Sequence, residues 1–152
     1  MSKQNILRDG IEEFFQILRK DKKDWGSFYL DTYVGIWKEF FENYFREMKL
    51  SEDEVTRCIC SYDRPFLESL RTILKPSSKR FVKGNVAKMI SSNFMNKVPD
   101  FVVFLFCGLA KRGIVEVKIN GKRTIGVDVC WYWKEGRFGR IGKDILKSIL
   151  FS

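Results

Sequence analysis

Histidine is absent from the chain and glutamine occurs only twice. Without histidine there is no imidazole acid–base catalysis and no Cys₂His₂ zinc site. Cysteine is scarce too: Cys58, Cys60, Cys107 and Cys130 are too few for a dense disulfide framework. Cys107 and Cys130 fall in apolar segments, which predicts buried thiols, and the Cys58-x-Cys60 spacing is wrong for a zinc knuckle. No segment approaches 18 consecutive apolar residues, the minimum for a membrane-spanning helix. The N-terminus carries no signal-peptide pattern, so the expectation is an intracellular, cytoplasmic protein that does not engage a membrane. No phosphate-binding G-x-x-x-x-G-K-[ST] loop occurs, and no G-x-G-x-x-G joins a strand to a helix. The paired acids Glu12-Glu13 and Glu52 to Glu54 read as solvated helix faces and caps. These absences predict a binding protein with no catalytic residues, no metal and no cofactor.

What the chain does have is unevenly placed charge. Its net charge is +9. Residues 1–63 hold 10 Lys/Arg against 13 Asp/Glu, whereas residues 64–152 hold 18 against 6. A positive half of that size attracts polyanions. Nucleic acid fits better than a membrane surface, because no long basic amphipathic helix is evident. At 45% hydrophobic and 15% aromatic, 152 residues suffice for a sizeable core.

The first half reads as helical. Leu7, Ile11, Phe14, Phe15 and Leu18 form a helical stripe, and a longer helix is expected from an N-cap at Ser27 to about Lys49. Its stripe of Tyr29, Tyr33, Ile36, Trp37, Phe40 and Tyr44 is broadened by Phe28, Phe41 and Phe45. Such a helix is central to a bundle or half of a partner or homodimer interface. Ser51 to Glu54 is a capping box, and Arg64-Pro65 suits the first turn of another helix. The basic stretch at residues 75–80 is the clearest joint. It divides a helical subdomain, residues 1–75, from a basic subdomain, residues 76–152.

The most informative stretch is residues 96–133, NKVPDFVVFLFCGLAKRGIVEVKINGKRTIGVDVCWYW. Val102, Leu105, Phe106 and Leu109 occupy i, i+3, i+4 and i+7 of a predicted helix. Lys111 and Arg112 suit its C-terminal end and Gly113 its stop. Val115, Val117 and Ile119 then alternate with Ile114, Glu116 and Lys118, and Asn120-Gly121 is the preferred type I′ hairpin turn. The return strand is expected to run through Ile125, Val127, Val129, Trp131 and Trp133. A helix passing into a hairpin through Leu109, Arg112, Gly113, Ile114, Val115, Glu116 and Val117 resembles the end of a winged-helix DNA-binding domain. The implied fold is mainly α with a C-terminal β-hairpin: an N-terminal helical bundle followed by a winged-helix-like unit. The implied function is DNA binding, with duplex favoured, in transcription regulation.

Three basic groups are candidates for phosphate contact. The hairpin tip offers Lys118, Lys122 and Arg123. The expected helix at residues 82–91 and its approach offer Lys79, Arg80, Lys83 and Lys88. The Gly/Arg segment offers Arg137, Arg140 and Lys143 among Gly136, Gly139 and Gly142. Asn96 and Lys97 match polar positions ahead of the resembled recognition helix. On that helix, Asp100, Phe104, Cys107 and Lys111 face away from the core, which suits a covered surface better than base readout. A second reading is therefore a non-catalytic subunit of a replication or transcription complex, docked to protein through the Phe104 face. Arg64-Pro65-Phe66-Leu67 with Lys79-Arg80-Phe81 is similar to the helical domain of archaeo-eukaryotic primase large subunits, without that family's four-cysteine spacing.

Overall fold

The computed structural model describes residues 6–75, 82–94 and 100–151. Its centre is a four-stranded mixed sheet, so the mainly-α expectation with a simple C-terminal hairpin does not hold. The strands are β1 (Leu7–Asp9), β2 (Phe101–Phe106), β3 (Ile114–Ile119) and β4 (Lys122–Asp128), in the spatial order β1-β2-β4-β3. β1, β2 and β4 are parallel, and β3 runs antiparallel to β4.

Two of the corrections have one cause. All six residues of β2 are buried, and a strand covered on both faces reads as a continuous apolar run. Helical spacing can be picked out of such a run as readily as alternation, so the predicted recognition helix is a central strand. β1 is the mirror case: three residues at a sheet edge are too short to show a period, and they were absorbed into the expected Leu7–Leu18 helical stripe. The β3–β4 ribbon does turn at Asn120 (φ 53°) and Gly121 (φ 78°), the left-handed pair that a type I′ turn requires. It is not a wing, however, because β4 lies inside the sheet between β2 and β3. Gly113 stops no helix; its carbonyl accepts the N–H of Asp128 at 2.9 Å.

Register sorts the side chains into two faces. Val102, Phe104 and Phe106 share one face with Thr124 and Gly126 and with Arg8 of β1. Phe101, Val103 and Leu105 share the other with Arg123, Ile125, Val127 and Leu7. The first face is covered by short helices α1 (Ile11–Phe14), α2 (Trp25–Phe28) and α3 (Val34–Ile36), and by α4 (Lys38–Met48), α5 (Glu52–Cys60) and α6 (Arg64–Ile73). Phe40 sits 4.7 Å from Phe104 and 4.8 Å from Phe106, ring centre to ring centre. Phe41 and Tyr44 pack edge-on against Phe106. Burial of each such ring contributes about 2–3 kcal/mol.

The long helix expected from Ser27 to Lys49 is interrupted. A π-helical turn spans Tyr29–Tyr33, and at Trp37 the backbone leaves the helix (φ −116°, ψ 41°) before α4 begins. Its aromatic residues are mostly core: Tyr29, Tyr33, Phe40, Phe41 and Tyr44 are buried, whereas Ile36 is 51% exposed. The capping box is present, with Ser51 Oγ accepting the Glu54 N–H at 3.2 Å. α5 and α6 follow it at the expected places.

The second face is covered by α7 (Val82–Asn93) and α9 (Ile141–Phe151). α7 begins beside the carboxyl end of β1, where Lys83 lies 3.7 Å from Asp9, and Phe94 just beyond its end packs on Phe101 at the start of β2. α9 passes Arg123, at the start of β4, through the carbonyl of Ser148. Both helices therefore run antiparallel to the parallel strands, and their N-termini point to the strands' carboxyl edge. Between β4 and α9, α8 (Val129–Lys134) takes residues expected to extend the return strand, including Trp131 and Trp133. One continuous core joins residues from both sides of the joint at residues 75–80.

Candidate nucleic-acid interface

The described elements that carry two of the three basic groups meet. The start of α7 and the loop leading into α9 enclose a cavity of about 470 Å³ lined by Val82, Asn85, Val86, Gly136, Phe138, Gly139, Ile141 and Gly142. Gly136 has φ 65°, a left-handed conformation that lets the chain leave α8 and double back toward α7. Lys83, Arg137 and Arg140 are sequence neighbours of lining residues, and all three are exposed, as are Lys88 and Lys143. The cavity lies outside the carboxyl ends of parallel strands, where open α/β sheets bind ligands, and at the N-termini of two helices. Their dipoles favour an anion by about 0.3–1 kcal/mol each.

Two acids sit close to this edge and are already engaged. Asp9 pairs with Lys83, and the partly exposed pair is worth about 0–1 kcal/mol, so Lys83 can re-aim at a phosphate. Asp144, in the first turn of α9, accepts the hydroxyl proton of Tyr132 at 2.7 Å. Burial is the main reason the Tyr132 hydroxyl holds its proton far above the usual tyrosine range, with the Asp144 contact adding to it.

The hairpin-tip group behaves differently. The tip is at the opposite end of β4 from this edge. Lys118 is exposed, while Lys122 and Arg123 are half-buried. Arg123 pairs with Glu116 through Nε and donates from Nη2 to the Ser148 carbonyl at 3.1 Å. The Glu116 hydrogen bond raises the Arg123 pKa further above its already high value. The guanidinium thus fastens α9 to the ribbon, a structural duty. Lys79, Arg80, Asn96 and Lys97 lie outside the described residues.

The Phe104 face expected to dock a partner is inside the protein. Phe104 is 2% exposed beneath Phe40 and Trp37. Cys107 and Cys130 are buried thiols, and burial pushes the Cys107 pKa up.

Sequence reasoning passed over Asp128. It is fully buried, and its carboxylate accepts the N–H groups of Gly108, Ala110 and Cys130 at 2.9 to 3.0 Å. Burial raises its pKa to about 6 against the lowering effect of those bonds. Around it, Tyr29, Tyr33 and Tyr62 donate to backbone carbonyls of Cys107, Gly10 and Gly108. Burial raises all three tyrosine pKa values well above normal. Each polar group has a backbone partner, so the cluster ties the strand ends to the helices. A lone acid at a strand end, two residues ahead of the N–H it caps, was the available signal.

Among the described residues no three His, Cys, Asp or Glu side chains gather as a metal site, and no helix is long and apolar enough to cross a membrane. No known protein family, curated protein or solved structure matches the chain.

Proposed function

We propose that the protein binds nucleic acid through its phosphate backbone, without catalysis, along the edge where α7 and α9 begin. The observation that carries this reading is that exposed Lys83, Arg137 and Arg140 each adjoin in sequence residues lining one cavity between the starts of α7 and α9. Lys88 on α7 and Lys143 on α9 are exposed as well. Backbone contacts of this kind give affinity and register without base readout. A helix-in-groove mode has no part in it, since the segment expected to enter the groove is β2.

The test is binding of the whole protein to a random labelled DNA duplex across a salt series, with single-stranded DNA and RNA of the same sequence alongside. Each phosphate contact adds about 0.9 to the magnitude of the log-affinity slope against log salt on duplex. Contacts from these five cations would therefore give a slope of about −4.5. Duplex is expected to bind best, because two parallel helix N-termini on a rigid edge suit a fixed phosphate spacing. Absence of binding to all three polymers at 50 mM salt, a condition about as permissive as such assays use, would end this reading.

A further inference from the structure

A second cavity, of about 440 Å³, lies on the opposite face of the sheet and toward its other end, near the hairpin tip. The interface proposed above makes no use of it. We propose that this cavity binds a small planar aromatic anion, a ring system carrying a carboxylate, sulfonate or phosphate.

The cavity follows from how the helical layer meets the sheet. Phe40 descends onto Gly126, where a Cβ would stand only 2.6 Å from its ring, and so fixes the height of α4 over β4. One turn earlier the helix is broken at Trp37, whose ring turns onto Phe104 at 4.9 Å between centres with the planes 48° apart. Beyond these rings, toward the starts of β2 and β4, the layers separate and the cavity opens. Its walls are preformed. Phe104 is held by Phe40 and stacked on Phe106, so the aromatic wall needs no rearrangement when a ring enters. The volume lies within the range of about 300–1,000 Å³ usual for small-molecule sites.

The polar groups specify the charge. Arg8 reaches the cavity from β1 and Lys122 from the start of β4, against one carboxylate, Glu39. Arg8 has no ion-pair partner among the described residues. The hydroxyl of Thr124, 6% exposed on the cavity floor, can donate to an acceptor on the ligand. A flat aromatic body against Trp37 and the exposed Ile36, with its anion at Arg8, satisfies both halves of the lining.

The test uses the full chain without nucleic acid, so its result is independent of the proposed interface. Naphthalene-2-sulfonate is titrated while the four indole N–H resonances are followed by ¹H–¹⁵N NMR. The expected result is a saturable shift of the Trp37 resonance alone. The neutral analogue 2-naphthalenemethanol should bind at least tenfold more weakly, and Arg8→Glu, at an exposed position, should weaken the sulfonate by tenfold or more while leaving the neutral analogue unchanged. Equal affinity for the two probes, indifference to Arg8→Glu, or shifts confined to the other indoles would each overturn the proposal.

Discussion

Asp128 Oδ2 accepts the backbone N–H of Ala110 at 2.9 Å, and Ala110 is held at φ 57°. A non-glycine residue in that conformation costs about 1 kcal/mol or more and persists only where its surroundings fix it. The carboxylate also takes the N–H groups of Gly108 and Cys130. One buried acid thereby shapes the turn after β2 and caps α8 after β4, and through α8 it sets the course of the loop that carries Arg137 and Arg140.

Stability should therefore depend on pH through Asp128. Its folded pKa of about 6 lies above the unfolded value near 3.8, so the folded state holds the proton more tightly. The contribution is fully present below about pH 4 and is lost as pH rises through about 6. Two pKa units correspond to about 3 kcal/mol. Asp128→Asn cannot titrate, and its amide meets the Ala110 N–H donor to donor, which costs about 1–3 kcal/mol. In urea unfolding the variant should be less stable at pH 4, and the native protein should lose about 2–3 kcal/mol relative to it by pH 7, closing or reversing the gap. A constant gap would mean that Asp128 does not carry the pH dependence.

Gly126, the one glycine within a described strand, should not tolerate a side chain. A methyl group there would press on the ring of Phe40 at 2.6 Å and of Phe106 at 3.1 Å. Both rings are wedged among other aromatics, so overpacking should cost Gly126→Ala about 1–3 kcal/mol. Phe40→Leu in the same chain should recover part of that loss. Additive losses in chemical denaturation would show that the two residues do not compete for space.

The sequence made the elements set by local chemistry readable. Asn120-Gly121 needs nothing but its own backbone preference to turn β3 into β4, and Ser51 with Glu54 caps α5 by itself. The strand–helix decisions at β2 and α8 depended on distant partners. Phe101 to Phe106 is apolar at every position because β1, β4 and both helical layers surround it, and none of these is visible within the run. Alternation of Val127, Val129, Trp131 and Trp133 continues past the point where Asp128 caps a helix, so the pattern overran the structure. The basic residues were individually legible. Their grouping was not, since the start of α7 meets the Arg137–Arg140 loop only because α7 and α9 lie on the same face of the sheet.

Arg123 should act in folding more than in binding. Its side chain is about one-quarter exposed, bonded to Glu116 and to the Ser148 carbonyl. Arg123→Ala would leave Glu116 without that partner and free one side of α9, for a loss of about 1–2 kcal/mol after allowance for solvent. The affinity for duplex DNA, measured below the unfolding transition, should change by less than twofold. A salt slope lowered by about one would instead return the hairpin tip to the interface.

Arg137 and Arg140 should do the reverse. Both are exposed on the loop before α9, and replacing them leaves the packing of Phe138 and Ile141 in place. Arg137→Ala with Arg140→Ala should leave the denaturation midpoint within about 0.5 kcal/mol, as is usual for surface changes. It should lower the magnitude of the salt slope on duplex DNA by about two. Adding Lys83→Ala should remove about one more, because that ammonium belongs to the same edge from the other helix. A triple variant that retains the native slope would detach nucleic-acid binding from the α7–α9 edge altogether, whatever affinity remained.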